Sequence, residues 1–207
     1  NHCITQVRLD GRIFYLDSTA SDYRYPYFRA DDHDTIADNP MLGEITPVPL
    51  PPPEDNQTKI ERILTLQPDG TLEVDYHTTM NGPTEANTRA YIRSLKYEEY
   101  LRDLRTTLSE LTPNYEILIA SYSDPLDFSV PLSIHTKYVL NKFVPKSGNY
   151  MILEIPFFTM RFSEVSLAKR KYDIVYTTTK SRVENITINL PEGVIVKYLP
   201  PPFRVKN

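Results

Sequence analysis

Apolar and polar positions alternate with a period of two through much of this chain, the pattern of half-buried strands. The opening stretch NHCITQVRLDGRIFYLDSTA reads as two strands around Leu9-Asp10-Gly11-Arg12, because Asp-Gly is favoured where both central turn residues need positive φ. Residues 21–41 turn polar and aperiodic, with no apolar stripe to hold them down, and read as a long surface loop. KIERILTLQ and TLEVDYHTTM flank Pro68-Asp69-Gly70, a second hairpin whose Thr, Val, Tyr and Leu suit a pleated surface. The period then changes: Tyr97, Leu101, Leu104, Leu108 and Leu111 recur at intervals of four and three, with Glu98, Glu99, Arg102, Asp103 and Arg105 on the other faces. That spacing predicts one amphipathic helix ended by Pro113, while Ala90, Ile92 and Leu95 support only a preceding helical turn. From Tyr115 strands return in six runs: YEILIASYS, VPLSIHTKYVLNKFVP, NYMILEIPFF, RKYDIVYTTT, ENITINL and GVIVKYLP.

Together these elements predict a mainly β, α+β fold: an antiparallel β-sandwich of about seven or eight strands with one packed amphipathic helix, preceded by a separate β-hairpin. Between the hairpin region and the sandwich, TPVPLPPPEDNQ carries five prolines, whose fixed φ favours extended chain and forbids a sheet interior. The expected division is therefore residues 1–46, a Pro-rich linker over 47–57, and a β-sandwich domain over 58–207.

Charge and composition narrow the function. Twenty-three Lys and Arg against 27 Asp and Glu give a formal charge of −4, so nucleic acid is not an expected partner. No apolar run approaches the ~20 residues that span a bilayer, so the chain is not membrane-spanning, and no signal segment opens it. The single cysteine, Cys3, excludes an intrachain disulfide framework and a Cys-based zinc site. His2, His33, His77 and His135 are too scattered for a zinc spacing, so neither a metal nor a cofactor is expected. Asp31-Asp32-His33-Asp34, followed by Asp38, lacks the ligand order of a calcium loop and reads as solvated loop charge. His77 and His135 fall in predicted strands without an evident partner and read as surface or satisfied interior histidines. Tyr23, Tyr25, Tyr27 and Phe28 read as packing the loop onto the hairpin in preference to lining an acceptor groove.

The hairpin carries the one chemically suggestive pair. With Asp10-Gly11 as its turn, His2 lies opposite Thr19 and Ile4 opposite Asp17, which makes His2 and Asp17 diagonal neighbours on one face. A carboxylate within reach of an imidazole fixes its tautomer and stabilises its protonated form, the orienting half of a nucleophile, base and acid triad. The same spacing also fits a plain cross-strand ion pair, worth ~0.2–1 kcal/mol. Alternation sends Cys3 to the opposite face, where it reads as a buried small apolar residue and not as the nucleophile.

NHCITQVRLDGRIFYLDST resembles the histidine-and-aspartate half of the transglutaminase-like core, a papain-like fold in which the strand bearing the catalytic His is followed fifteen residues later by the catalytic Asp. Here those positions are His2 and Asp17, and Asp17-Ser18-Thr19 stands where the family commonly has Asp-Pro-Thr. The larger remainder resembles the β-rich domain that follows this core in some secreted or periplasmic bacterial proteins, with Arg170-Lys171, Leu190-Pro191-Glu192-Gly193 and Leu199-Pro200 fitting its pattern. The resemblance implies a thiol acyl-transferase, amidase or protease acting on a protein or peptide substrate. Its nucleophilic Cys would lie upstream of Asn1, so that this chain by itself would be catalytically silent. It also implies a periplasmic or extracellular location, and a scaffold or interaction role for the β-rich domain towards protein or glycan partners. The alternative expectation is a non-enzymatic binding or structural module of the bacterial envelope.

Overall fold

Asp10 and Gly11 take φ of 51° and 75°, the two-residue turn whose twist matches that of the strands it joins. In the computed structural model, which describes residues 2–157 and 168–204, this turn links β1 (Thr5–Leu9) to β2 (Arg12–Leu16). The register runs from Leu9↔Arg12 to Thr5↔Leu16, as the turn dictates. Tyr15 of β2 packs with Phe28 and Val48 in a small core of its own. Residues 21–41 are therefore anchored where a surface loop was expected: Phe28 and His33 are buried, and β3 (Ile36–Asn39) pairs antiparallel with β4 (Glu44–Pro47). Single aromatic anchors leave no periodicity to read. The expected packing role of the aromatic residues is met by Phe28 in the core, while Tyr25 stays 63% exposed.

The Pro-rich stretch runs extended and ends in a 3-10 turn, Pro53–Asn56. Buried Asn56 fastens it: its Oδ1 accepts from Thr84 N at 3.0 Å and Thr84 Oγ1 at 2.8 Å, and its Nδ2 donates to the Thr179 carbonyl at 2.7 Å. Beyond it come β5 (Gln57–Leu66), β6 (Leu72–Met80), α1 (Gly82–Ser94), α2 (Tyr97–Ser109), β7 (Tyr115–Tyr122), β8 (Leu132–Leu140), the short strands β9 (Lys146–Ser147) and β10 (Tyr150–Met151), and β11 (Ser181–Asn189). Five of these form one sheet in the order β11-β5-β6-β8-β7; every neighbouring pair is antiparallel except β11 on β5.

Alternation sorts the sheet's two faces. Leu64 of β5, Leu72 and Val74 of β6, and Tyr138 and Leu140 of β8 bury against Leu108 of α2, while Met80 and Leu132 bury against Ile92 of α1. Both helices thus cover one face. On the other, Lys59, Glu61 and Ile63 of β5 alternate with the core residues and remain exposed. No helix among the described residues is long and apolar enough to cross a membrane.

The mainly β, α+β class holds, with strand outweighing helix by 35% to 17% among the described residues. Within it, the described residues form a five-stranded mixed sheet, three two-stranded pairs and two α-helices, where an antiparallel β-sandwich of about seven or eight strands with one packed helix was expected. Helix α1 escapes a hydrophobic reading because its buried face is Glu85, Ala86, Arg89 and Ile92, so a charged pair fills two of the positions that normally betray a helix. Arg89 Nη2 lies 2.7 Å from Glu85 Oε1, Arg24 Nη2 lies 3.0 Å from Glu85 Oε2, and Leu132 N donates to Glu85 Oε1 at 3.2 Å. Residues 170–179 and 193–200 have strand-like composition but pair with no strand among the described residues. Phe158, which closes the expected NYMILEIPFF strand, lies outside the described residues.

Candidate functional site

The β1–β2 pairing ends at Thr5↔Leu16, and just beyond it His2 Nε2 lies 3.0 Å from Asp17 Oδ2. The proximity of these two side chains read from the turn is met in the structure. Asp17 is well prepared to receive an imidazole. Its Oδ1 accepts from Thr19 N at 2.9 Å and from Thr19 Oγ1 at 2.7 Å, an Asx-type turn that locks the carboxylate. Its side chain is only 1% exposed. Burial pushes the Asp17 carboxyl up, but the Thr19 hydrogen bonds and His2 outweigh it and hold the acid below its ordinary 3.8. The anionic form is the one the site is built around.

Asp32 completes the cluster. Its Oδ2 stands 3.6 Å from His2 Nε2, is buried, and has no hydrogen-bond partner. Burial, reinforced by the negative charges of Asp31 and Asp17 and opposed by His2 and Arg29, raises the Asp32 carboxyl above its ordinary value. Arg29 closes the outer side: it hydrogen-bonds Asp31 through Nε at 2.8 Å and places that nitrogen 3.8 Å from Asp17 Oδ2. Two carboxylates of unequal character therefore flank one imidazole nitrogen. Since Nε2 faces Asp17, Nδ1 is the ring atom left to take or give a proton. Ligand atoms of His2, Asp17 and Asp32 also lie within 4.8 Å of one another, close enough to share a cation.

Sequence reasoning found His2 and Asp17 and missed Asp32. The first two are related by a turn whose geometry fixes their register, whereas Asp32 arrives through an aperiodic loop with no spacing signal. The acidic run is likewise not uniformly solvated: Asp31 pairs with Arg29, Asp32 turns inward, and His33 is buried against the Phe28 ring edge at 4.7 Å between centroids. Cys3 is exposed, where a buried residue was expected; it precedes β1 and has no core to enter. His77 and His135, expected without partners, meet as register partners of β6 and β8, and both reach Asp75.

The chain matches no protein-family model, no curated protein and no solved structure.

Proposed function

We propose that the hairpin carries the general base and its orienting carboxylate from a transglutaminase-like thiol acyl-transfer site, with the nucleophilic cysteine supplied from outside these residues. The observation that carries this reading is the His2 Nε2 to Asp17 Oδ2 contact of 3.0 Å onto a buried carboxylate held by Thr19. In such a site the imidazole takes the thiol proton at Nδ1, and the thiolate attacks the carbonyl carbon of an amide. The C–N bond breaks as the imidazolium returns its proton to the departing amine, and water or a second amine then releases the thioester. Asp17 keeps the ring in one tautomer and stabilises the imidazolium. A protein or peptide substrate, a periplasmic or extracellular setting, and an interaction role for the five-stranded sheet unit belong to the same reading.

A second reading, a non-enzymatic binding or structural module of the bacterial envelope, is favoured by Asp32. Its carboxylate crowds the same Nε2 atom at 3.6 Å, which suits an ionic latch holding the 21–41 segment to the hairpin. Alkylation with iodoacetamide in the full gene product separates the two. In an acyl-transfer site a cysteine other than Cys3 reacts fast at neutral pH, and His2→Ala slows it by roughly 10²-fold or more. Absence of such a thiol, or an unchanged rate in His2→Ala, leaves the latch.

A further inference from the structure

The open face of the sheet holds a second convergence of ligand-type side chains, far in sequence from the hairpin. His77 of β6 and His135 of β8 are direct register partners, with ring centroids 3.7 Å apart and planes 18° from parallel. Asp75, two residues before His77, shares their face by strand alternation. Both imidazoles aim Nε2 at one oxygen: Asp75 Oδ1 lies 3.1 Å from His77 Nε2 and 2.9 Å from His135 Nε2. All three ligand atoms fall within 4.8 Å of one another.

We propose that Asp75, His77 and His135 form a binding site for a divalent first-row transition-metal ion of the Zn²⁺ class. The donor set of two imidazole nitrogens and one carboxylate oxygen suits zinc, copper or nickel, and not the all-oxygen coordination that magnesium and calcium take. Bonds of about 2.0–2.1 Å in tetrahedral geometry put neighbouring ligand atoms roughly 3.3 Å apart, close to the observed nitrogen-to-oxygen separations, while the stacked imidazoles must rotate out of their near-parallel arrangement to direct both Nε2 lone pairs at one ion. The backbone is already fixed, since β6 is paired on both edges by β5 and β8, and β8 by β6 and β7. His77 has a 51% exposed side chain, which gives an ion a direct approach and leaves the remaining coordination positions to water.

The surroundings are built for the charge. Lys137 donates to Glu73 Oε1 at 2.9 Å and stands 3.9 Å from Asp75 Oδ2, steadying the carboxylate from the side away from the histidines. Glu61 is the register partner of His77 on β5 and is itself held by Asn185 Nδ2 at 2.7 Å. Glu73 and Asp75 share the ammonium of Lys137, and Glu61 beside His77 adds a third carboxylate to a face whose other ammonium is that of Lys59 on β5, an excess of negative charge that favours a dication. This inference stands apart from the acyl-transfer reading, because no residue is shared between the two clusters.

Calorimetric titration of the untagged, EDTA-stripped chain with ZnCl₂ tests the site. The expected result is saturable binding of one ion that weakens roughly tenfold or more in His77→Ala, His135→Ala and Asp75→Asn and is unchanged in His2→Ala. Circular dichroism should show all four variants folded, since the mutated side chains lie at the protein surface. Where a variant fails to fold, Co²⁺ substitution in the unaltered chain decides. Visible bands of tetrahedral or five-coordinate cobalt, with histidine NMR signals of the sheet broadened and that of His2 unaffected, sustain the site. No saturable binding, or binding lost in His2→Ala and kept in the sheet variants, overturns it.

Discussion

His33 occupies a position that suits only the neutral ring. It is 4% exposed, packs edge-on to Phe28, and places Nδ1 3.1 Å from Thr178 Oγ1. Burial depresses its pKa below the ordinary 6.5, against the opposing pull of the Phe28 backbone hydrogen bond and Asp31. A histidine with a depressed folded-state pKa contributes stability that is fully present above 6.5 and lost as pH falls through the folded value. Urea denaturation should therefore show stability declining from about pH 6.5 downwards, with that part of the decline missing in His33→Gln; an equal decline in both proteins would contradict it. Asp32 works with the opposite sign, because its raised pKa makes protonation on acidification a relief. Asp17, held below 3.8, gives up its contribution only under stronger acid. Of these side chains the sequence disclosed His2 and Asp17, since a two-residue turn transmits register along both strands. Asp32, and the burial of His33, depend on how an aperiodic loop folds back, and no local pattern records that.

Helix α1 shows how a charged pair can replace apolar side chains in a buried face. Glu85 and Arg89 have side chains 1% and 0% exposed, and Arg89 also donates to the carbonyls of Pro125 at 2.9 Å and Val130 at 2.8 Å. Removing one partner from such a pair leaves the other charge buried without compensation. Glu85→Ala is thus expected to lose roughly 3–5 kcal/mol in chemical denaturation, and a loss below about 1 kcal/mol would show that the carbonyls alone satisfy Arg89. The contrast with α2 explains what could be read. Leu104, Leu108 and Leu111 of the second helical run announce themselves by period, whereas Glu85 and Arg89 look like a solvated stripe until the Arg24 and Leu132 contacts are known. Strand direction was equally hidden. Side-chain alternation is the same in parallel and antiparallel strands, so β11 could be recognised as a strand but not as the parallel neighbour of β5. Residues 170–179 and 193–200 illustrate the converse, since their β-forming composition pairs with no strand among the described residues, and propensity alone does not make a strand.

At the scale of the whole molecule, the hairpin region and the sheet unit meet through ionic and polar contacts. Arg24 reaches the buried Glu85 of α1, Arg93 of α1 meets Asp22 at 2.5 Å, and His33 meets Thr178. The hairpin's small core of Tyr15, Phe28 and Val48 is distinct from the sheet's larger one, so the His2–Asp17 pair sits on a hairpin whose register is set by its own turn. The turn chemistry, the second hairpin and the Leu-rich helix were legible because each is written in adjacent residues. The mixed sheet and both His/Asp clusters in full needed the long-range pairings that only the fold supplies. The proposed role of the first cluster requires Asp17 to act solely through His2, and a double-mutant cycle on the alkylation rate of the upstream thiol in the full gene product measures that dependence directly. Asp17→Asn should slow the reaction in the unaltered background and have no further effect once His2 is alanine. Equal effects of Asp17→Asn in both backgrounds, or none in either, would contradict a base and its orienting carboxylate.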